Sequence, residues 1–229
     1  RIDVEALAER LDALGVTDYF FLVWHRETDW ADLQRFLPVA AARDIDVWAY
    51  LVPPSETPEG AWSERYSEPY RTDYVAWGEA IAALSTDHEN LVGWAVDDFQ
   101  RNTTTEKFGD RFTPEYMRRV TDAVDAVAPD LSFLALLYGD DITPAFLDDY
   151  APYVDGVVFA YPEGRAEAEE RIGTAAAHGL PTLLMPAVLA KEHRNRYDTP
   201  ATVRTMTANV ELCTALVREG RAAGVVTYG

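Results

Sequence analysis

Short apolar runs alternate with amphipathic segments along almost the whole chain, and this alternation constrains the fold more than any other feature. The runs are rich in aromatic and β-branched residues, as buried strands are. Strands are predicted at residues 19–24, 47–52, 91–96, 132–138, 155–161, 181–187 and 224–228. Apolar residues at helical spacing predict a helix before each strand, at residues 4–14, 30–43, 72–85, 114–128, 144–151, 166–178 and 200–220.

Seven helix-then-strand units with near-continuous apolar strands indicate an α/β fold whose parallel sheet is covered on both faces. Seven units fit a TIM-type (β/α)8 barrel better than an open doubly wound sheet, which is the alternative. Because the chain opens at Arg1 on a helix and closes on a strand, we expect a barrel that lacks its first strand or is trimmed of it. No linker divides the chain, so residues 1–229 are expected to form a single barrel domain.

The charge of the chain narrows the range of partners. Asp and Glu number 39 against 20 Lys and Arg, which gives a net charge of −19. Such a chain repels phosphate backbones and anionic lipids, so we expect no nucleic-acid partner and no membrane partner. Cys213 is the only cysteine, which excludes an internal disulfide. The sequence shows no signal peptide, and it leaves the oligomeric state and an extracellular or cytoplasmic location open.

The main candidate for chemistry is the pair Asp97-Asp98, which ends an apolar strand. Side chains alternate along a strand, so Gly93, Ala95 and Asp97 share one face, and the small residues suit a crowded barrel interior. We expect Asp97 to point into the barrel mouth and Asp98 to turn toward the same pocket. Two carboxyls this close do not ionise independently, so one pKa should rise and provide an acid beside a base. The alternative roles for Asp98 are capping of the next turn and pairing with Arg101.

An apolar strand that ends in Asp-Asp resembles the fourth strand of some glycoside hydrolase barrels, especially the hexosaminidase-like families. The resemblance implies a carbohydrate substrate, with one acid protonating the glycosidic oxygen. The other acid orients or charges the substrate acetamido group, which is the nucleophile. On this resemblance Asp97 and Asp98 are the catalytic pair, with Asp98 as the proton donor, and we expect no cofactor. The Asp-x-x-Asp-x-Asp-x-Glu motif of chitinase-type barrels is absent.

The ends of other predicted strands, and the residues just after them, supply further polar and aromatic side chains on the rim where barrel active sites form. Aromatic rings and polar groups suit the apolar faces and hydroxyl edges of sugars. The predicted substrate-binding residues are Trp24, His25, Arg26, Tyr50, Gln100, Arg101, Tyr138, Asp140, Tyr161, Glu163 and Tyr228. Core packing is the alternative for each aromatic residue, and stabilisation of the next helix N-terminus is the alternative for Asp140.

Two other functions stay open. His25 and His193 lie on predicted rim segments and, with Asp97 and Asp98, offer mixed nitrogen and oxygen donors for a metal-dependent hydrolase or lyase. No His-x-His follows the first strand and no His-Glu-x-x-His occurs, so we expect no metal. The second alternative is a non-catalytic carbohydrate-binding barrel. Asn102-Thr103-Thr104 also matches an N-glycosylation sequon.

Overall fold

The computed structural model describes five segments of the chain. These are residues 1–24, 26–53, 67–103, 112–187 and 203–227. Two of the predicted site residues, His25 and Tyr228, lie outside them, as does His193.

Strands and helices alternate through the described residues, as the sequence predicts. The strands are β1 (Asp18–Val23), β2 (Asp46–Leu51), β3 (Leu91–Val96), β4 (Ser132–Tyr138), β5 (Gly156–Ala160), β6 (Thr182–Met185) and β7 (Gly224–Val225). The helices are α1 (Val4–Ala13), α2 (Asp29–Ala41), α3 (Tyr74–Asp87), α4 (Pro114–Asp125), α5 (Pro144–Tyr150), α6 (Arg165–Ala177) and α7 (Val203–Arg218). No helix among the described residues is long and apolar enough to cross a membrane.

Threonine caps define the start of two helices. The hydroxyl oxygens of Thr113 and Thr143 each accept a backbone N–H three residues further on, at 3.2 and 3.3 Å. Proline is the first residue of both helices, α4 and α5, where its missing N–H leaves no bond unmade. A third Thr-Pro step, at 199–200, lies outside the described residues.

The chain divides into two compact units, residues 1–134 and 135–229. In the first unit β1 pairs with β2 and β2 with β3, all parallel. The register sets Phe20 beside Trp48, with their rings stacked 5.4 Å apart, and sets Tyr50 beside Ala95. Neighbouring residues in a parallel register lie on the same face of a sheet, so one face of β1–β3 carries this row of side chains. The other face carries Trp94, which is 1% exposed.

Gly93 lets two bulky groups approach the middle of β3. A Cβ atom at this position would lie 2.6 Å from the carbonyl oxygen of Ser132 and would overlap the ring of Trp48. Only glycine therefore fits between the Trp48 indole and the neighbouring backbone.

In the second unit β5, β6 and β7 pair in parallel and in chain order. Every residue of β5 is buried, which explains its continuous apolar sequence. Arg165, the first residue of α6, forms a bidentate ion pair with Glu219 just after α7, at 2.8 and 2.9 Å. This pair joins the start of one helix to the end of the other.

Candidate functional site

Asp97 lies directly after β3, on the face of the sheet that carries Tyr50. Its backbone N–H donates to the carbonyl oxygen of Leu51 at 3.0 Å, which extends the strand pairing to this residue. The Tyr50 hydroxyl donates to the Asp97 carboxylate. The backbone N–H of Asp98 donates to Asp97 Oδ1 at 2.9 Å. The carboxylate of Asp97 is thus held by two donors at the carboxyl end of the strand.

The protonation of Asp97 differs from that of an ordinary aspartate. Its pKa is raised to about 7, first by burial and second by the negative charge of Asp98. The hydrogen bonds from Tyr50 and from the Asp98 backbone, and the positive charge of Arg101, act in the opposite direction. A carboxyl with this pKa is present in both protonation states near neutral pH, so it can give or take a proton there.

Asp98 is a buried carboxylate on a strained turn. Its side chain is only 1% exposed, and its Oδ2 lies 3.7 Å from Nη1 of Arg101. Neither carboxylate oxygen accepts a hydrogen bond within the described part of the chain. Its φ of 43° falls in the left-handed region, which non-glycine residues seldom adopt. A buried charge and a strained backbone both destabilise the fold, and such features cluster at functional sites.

The Asn102 side chain stabilises the turn at Asp98. It ends the short 3-10 helix Gln100–Asn102, its side chain is fully buried, and its Nδ2 donates to the backbone carbonyl of Asp98 at 2.9 Å. A glycan on this nitrogen is incompatible with the fold, so the sequon at Asn102 does not mark a glycosylation site of the folded chain. In the same helix Gln100 is half-buried and Arg101 is exposed.

The loop after β1 is fixed by a buried acid that the sequence reasoning missed. Asp29, the first residue of α2, is 5% exposed. Its Oδ2 accepts the backbone N–H groups of Trp24 and Arg26, at 3.1 and 3.2 Å. Trp24 is half-buried and the Arg26 side chain is exposed. An acidic residue in the first helical turn, close after a strand, is the sequence signal that points to such a role.

In the second unit two predicted tyrosines lie together. Tyr138 ends β4 and Tyr161 follows β5, and their ring centroids are 6.1 Å apart. The backbone of Tyr161 has a φ of 59°, and its N–H donates to the carbonyl of Met185 at 2.8 Å. Both side chains are half-buried. The carboxyl ends of β4 and β5 therefore carry a pair of aromatic rings.

The predicted acids of the second unit are more exposed than its two tyrosines. Asp140 and Glu163 are exposed, in the segments that follow β4 and β5. Asp141 uses its Oδ2 to accept the backbone N–H of Tyr138 at 3.0 Å, so this acid stabilises the local backbone. The structure thus groups Asp97, Asp98, Tyr50 and Arg101 within the first unit, and pairs Tyr138 with Tyr161 within the second.

Side chains that could bind a metal ion do not cluster among the residues that the structure describes. No group of three or more His, Cys, Asp or Glu side chains there is arranged to hold a metal ion. His25 and His193, on which the predicted metal alternative depends, lie outside those residues.

No family model matches the chain, and no curated protein matches it. Several solved structures, however, are similar to the chain. A GH5_18 protein from Streptomyces cattleya in complex with Manβ1-4GlcNAc is 18% identical over 98% of this chain and 65% of that one, with a TM-score of 0.63. A Thermobacillus composti GH10 xylanase is 17% identical over 97% of this chain and 86% of its own length, with a TM-score of 0.55.

A β-glucuronidase from Bacteroides uniformis is 10% identical with a TM-score of 0.65, over 98% of this chain and 28% of the larger protein. At these identities the similarity establishes the fold. The chain spans slightly less than two thirds of the GH5_18 protein. Together with the alternating parallel strands, these similarities show that the chain has a TIM-type barrel fold of the kind found in glycoside hydrolases.

Proposed function

We propose that the chain is a glycoside-hydrolase-like enzyme that cleaves a glycosidic bond in a carbohydrate, with Asp97 and Asp98 as its central acids. The observation that carries this proposal is the half-buried carboxyl of Asp97, whose pKa is raised to about 7 at the carboxyl end of β3. Active sites of barrel enzymes lie at the carboxyl ends of the strands. The glycoside hydrolase folds that the chain resembles support the substrate class.

Exposure favours Asp97 as the residue that transfers the proton. The resemblance to hexosaminidase-like barrels assigns that role to Asp98, but the Asp98 side chain is 1% exposed. Asp97 is half-buried and has the raised pKa, so it can both reach a substrate and carry a proton at neutral pH. Asp98 acts through its charge, which raises the pKa of Asp97 and favours positive charge developing at the anomeric carbon.

The proposed reaction is an acid-assisted hydrolysis. The protonated Asp97 carboxyl gives its proton to the glycosidic oxygen as the bond between that oxygen and the anomeric carbon breaks, so the leaving sugar departs as an alcohol with the electron pair. Water supplies a hydroxyl group to the anomeric carbon, and its remaining proton restores the acid form of Asp97. The net change is the addition of one water across the bond, with no oxidation or reduction.

The remaining predicted residues of each unit are proposed to bind sugar. In the first unit the half-buried ring of Trp24 suits the apolar face of a pyranose ring, and the polar side chains of Arg26, Gln100 and Arg101 suit hydroxyl groups. In the second unit the half-buried rings of Tyr138 and Tyr161 suit an apolar sugar face, and Asp140 and Glu163 suit hydroxyl groups. His25 and Tyr228 stay predictions from the sequence.

The test compares the wild-type chain with Asp97→Asn and a control, Asp149→Asn. Asp149 is exposed in α5 of the second unit, so the control removes one exposed carboxylate and leaves both proposed acids in place. Release of reducing ends from a panel of glycans, and glycan binding, are measured for all three proteins. We expect Asp97→Asn to lose about 100-fold or more of the turnover and to keep binding, with the control unchanged.

The other outcomes identify the alternatives. Wild-type binding without turnover on any glycan would overturn the proposal in favour of a non-catalytic carbohydrate-binding barrel. Turnover that is lost with EDTA and restored by a divalent metal would overturn it in favour of a metal-dependent hydrolase or lyase that uses His25.

A further inference from the structure

Tyr50 is poorly placed for the sugar-binding role that the sequence predicts. It lies within β2, beside Ala95 of β3, and only 5% of it is exposed. Its ring packs edge-on against Phe20 of β1, with the centroids 6.2 Å apart. Its hydroxyl donates a hydrogen bond to the carboxylate of Asp97. The tyrosine therefore contacts the proposed acid from within the sheet.

We propose that Tyr50 is a positioning residue for Asp97, whose hydroxyl holds the carboxylate in one orientation and stabilises its ionised form. The inference rests on the proposed function, because it gives Tyr50 a part in the proton cycle of that site. The geometry that supports it is the strand register. Tyr50 and Ala95 are neighbours on one face, and Asp97 follows Ala95 by two residues on the same face.

The consequence concerns both halves of the proton cycle. The groups that act on the ionisation of Asp97 are Tyr50, Asp98 and Arg101, and they belong to β2 and to the turn after β3. A hydrogen bond to the charged form of an acid favours that form. Without the Tyr50 hydroxyl, Asp97 would hold its proton to higher pH. It would give up the proton less readily to the glycosidic oxygen and regain it more readily from water.

Tyr50→Phe removes the hydroxyl and keeps the ring that packs on Phe20. Tyr19→Phe is the matched control, because Tyr19 is a tyrosine of the neighbouring strand whose ring packs against Phe36 of α2, 5.5 Å away, on the helix side. The carboxyl carbon of Asp97 is titrated by NMR in the wild type and both variants. Its signal is assigned by its loss in Asp97→Asn.

We expect Tyr50→Phe to raise the pKa of Asp97 by about one unit, a roughly tenfold change in the ratio of its two forms at a given pH. The limb of the turnover profile on which activity falls at high pH should move upward by the same amount. Tyr19→Phe should change neither quantity. An Asp97 titration that is equal in Tyr50→Phe and the wild type would overturn the inference.

A second readout does not depend on the folding of Tyr50→Phe. The Cζ carbon of Tyr50 should titrate with the pKa of Asp97 in the wild type and should show no such step in Asp97→Asn. A flat Cζ signal in the wild type would overturn the inference even if Tyr50→Phe did not fold. Coupled titrations in a chain without glycan turnover would overturn the proposed function alone, whereas turnover that depends on Asp97 with uncoupled titrations would overturn this inference alone.

Discussion

Replacing Asp97 by asparagine should stabilise the folded chain, and the gain should grow with pH. A carboxyl whose pKa is raised by folding ionises more readily in the unfolded chain, so the unfolded state binds fewer protons and the free energy of unfolding falls as pH rises. For Asp97 this fall spans the window from an ordinary pKa of 3.8 to the folded value of about 7. Asparagine has no charge and keeps an oxygen that accepts the hydrogen bond from Tyr50.

The magnitude follows from the size of the shift. A change of about three pKa units corresponds to about 4 kcal/mol at about 1.4 kcal/mol per unit. Partial solvent access and the coupling to Asp98 reduce this value, so we expect Asp97→Asn to gain about 2–4 kcal/mol at pH 8. Near pH 4 the difference between variant and wild type should be close to zero, because the native carboxyl is then protonated.

Urea unfolding of the wild type and Asp97→Asn at several pH values between 4 and 8 measures this directly. The difference between the two free energies of unfolding cancels the contributions of the titrating groups that do not interact with Asp97. Asp149→Asn serves as a control, and its difference from the wild type should not follow the same curve. A difference for Asp97→Asn that is equal at pH 4 and pH 8 would refute the reasoning, since it would mean that folding does not raise this pKa.

Three further outcomes follow from the same contacts. Asp98→Asn removes the charge that raises the pKa of Asp97, so the Asp97 titration measured by NMR should move to lower pH. Gly93→Ala places a methyl group 2.6 Å from the carbonyl oxygen of Ser132, so chemical unfolding should show a loss of about 1–3 kcal/mol. Asp29→Ala leaves two backbone N–H groups of the loop after β1 without their acceptor, so stability should fall by about 1–3 kcal/mol and glycan affinity should fall in a binding titration.

The fold could be predicted because its signals are local and periodic. Apolar runs such as 132–138 coincide with a strand of the structure, and the predicted bounds of the elements lie within about three residues of those observed. Thr113 and Thr143 cap helices because their hydroxyls accept the backbone N–H three residues further on. This signal lies within four residues of sequence. Strand alternation also indicated that Asp97 shares a face with Gly93 and Ala95, because the period of a strand is two.

The interactions around the acids could not be predicted, because they depend on backbone angles and on contacts across the sheet. The left-handed φ of Asp98 has no sequence signal, since no glycine stands at that position. The hydrogen bond from the Asn102 amide to the Asp98 carbonyl has none either, since the sequence around Asn102 indicates only a sequon. The contact between Tyr50 and Asp97 needs the register of β2 against β3. The position of Tyr50 near the end of a predicted strand therefore predicts a sugar-binding residue on the rim, although only 5% of Tyr50 is exposed in the structure.

The central claim is that Asp97 carries a proton near neutral pH at the carboxyl end of β3. The most direct measurement is the NMR titration of the Asp97 carboxyl carbon in the wild-type chain, assigned with Asp97→Asn. We expect a midpoint near pH 7, because burial and the charge of Asp98 raise the pKa of Asp97. A midpoint near pH 4, the range of an ordinary aspartate, would mean that Asp97 holds no proton at neutral pH and is not the proposed acid.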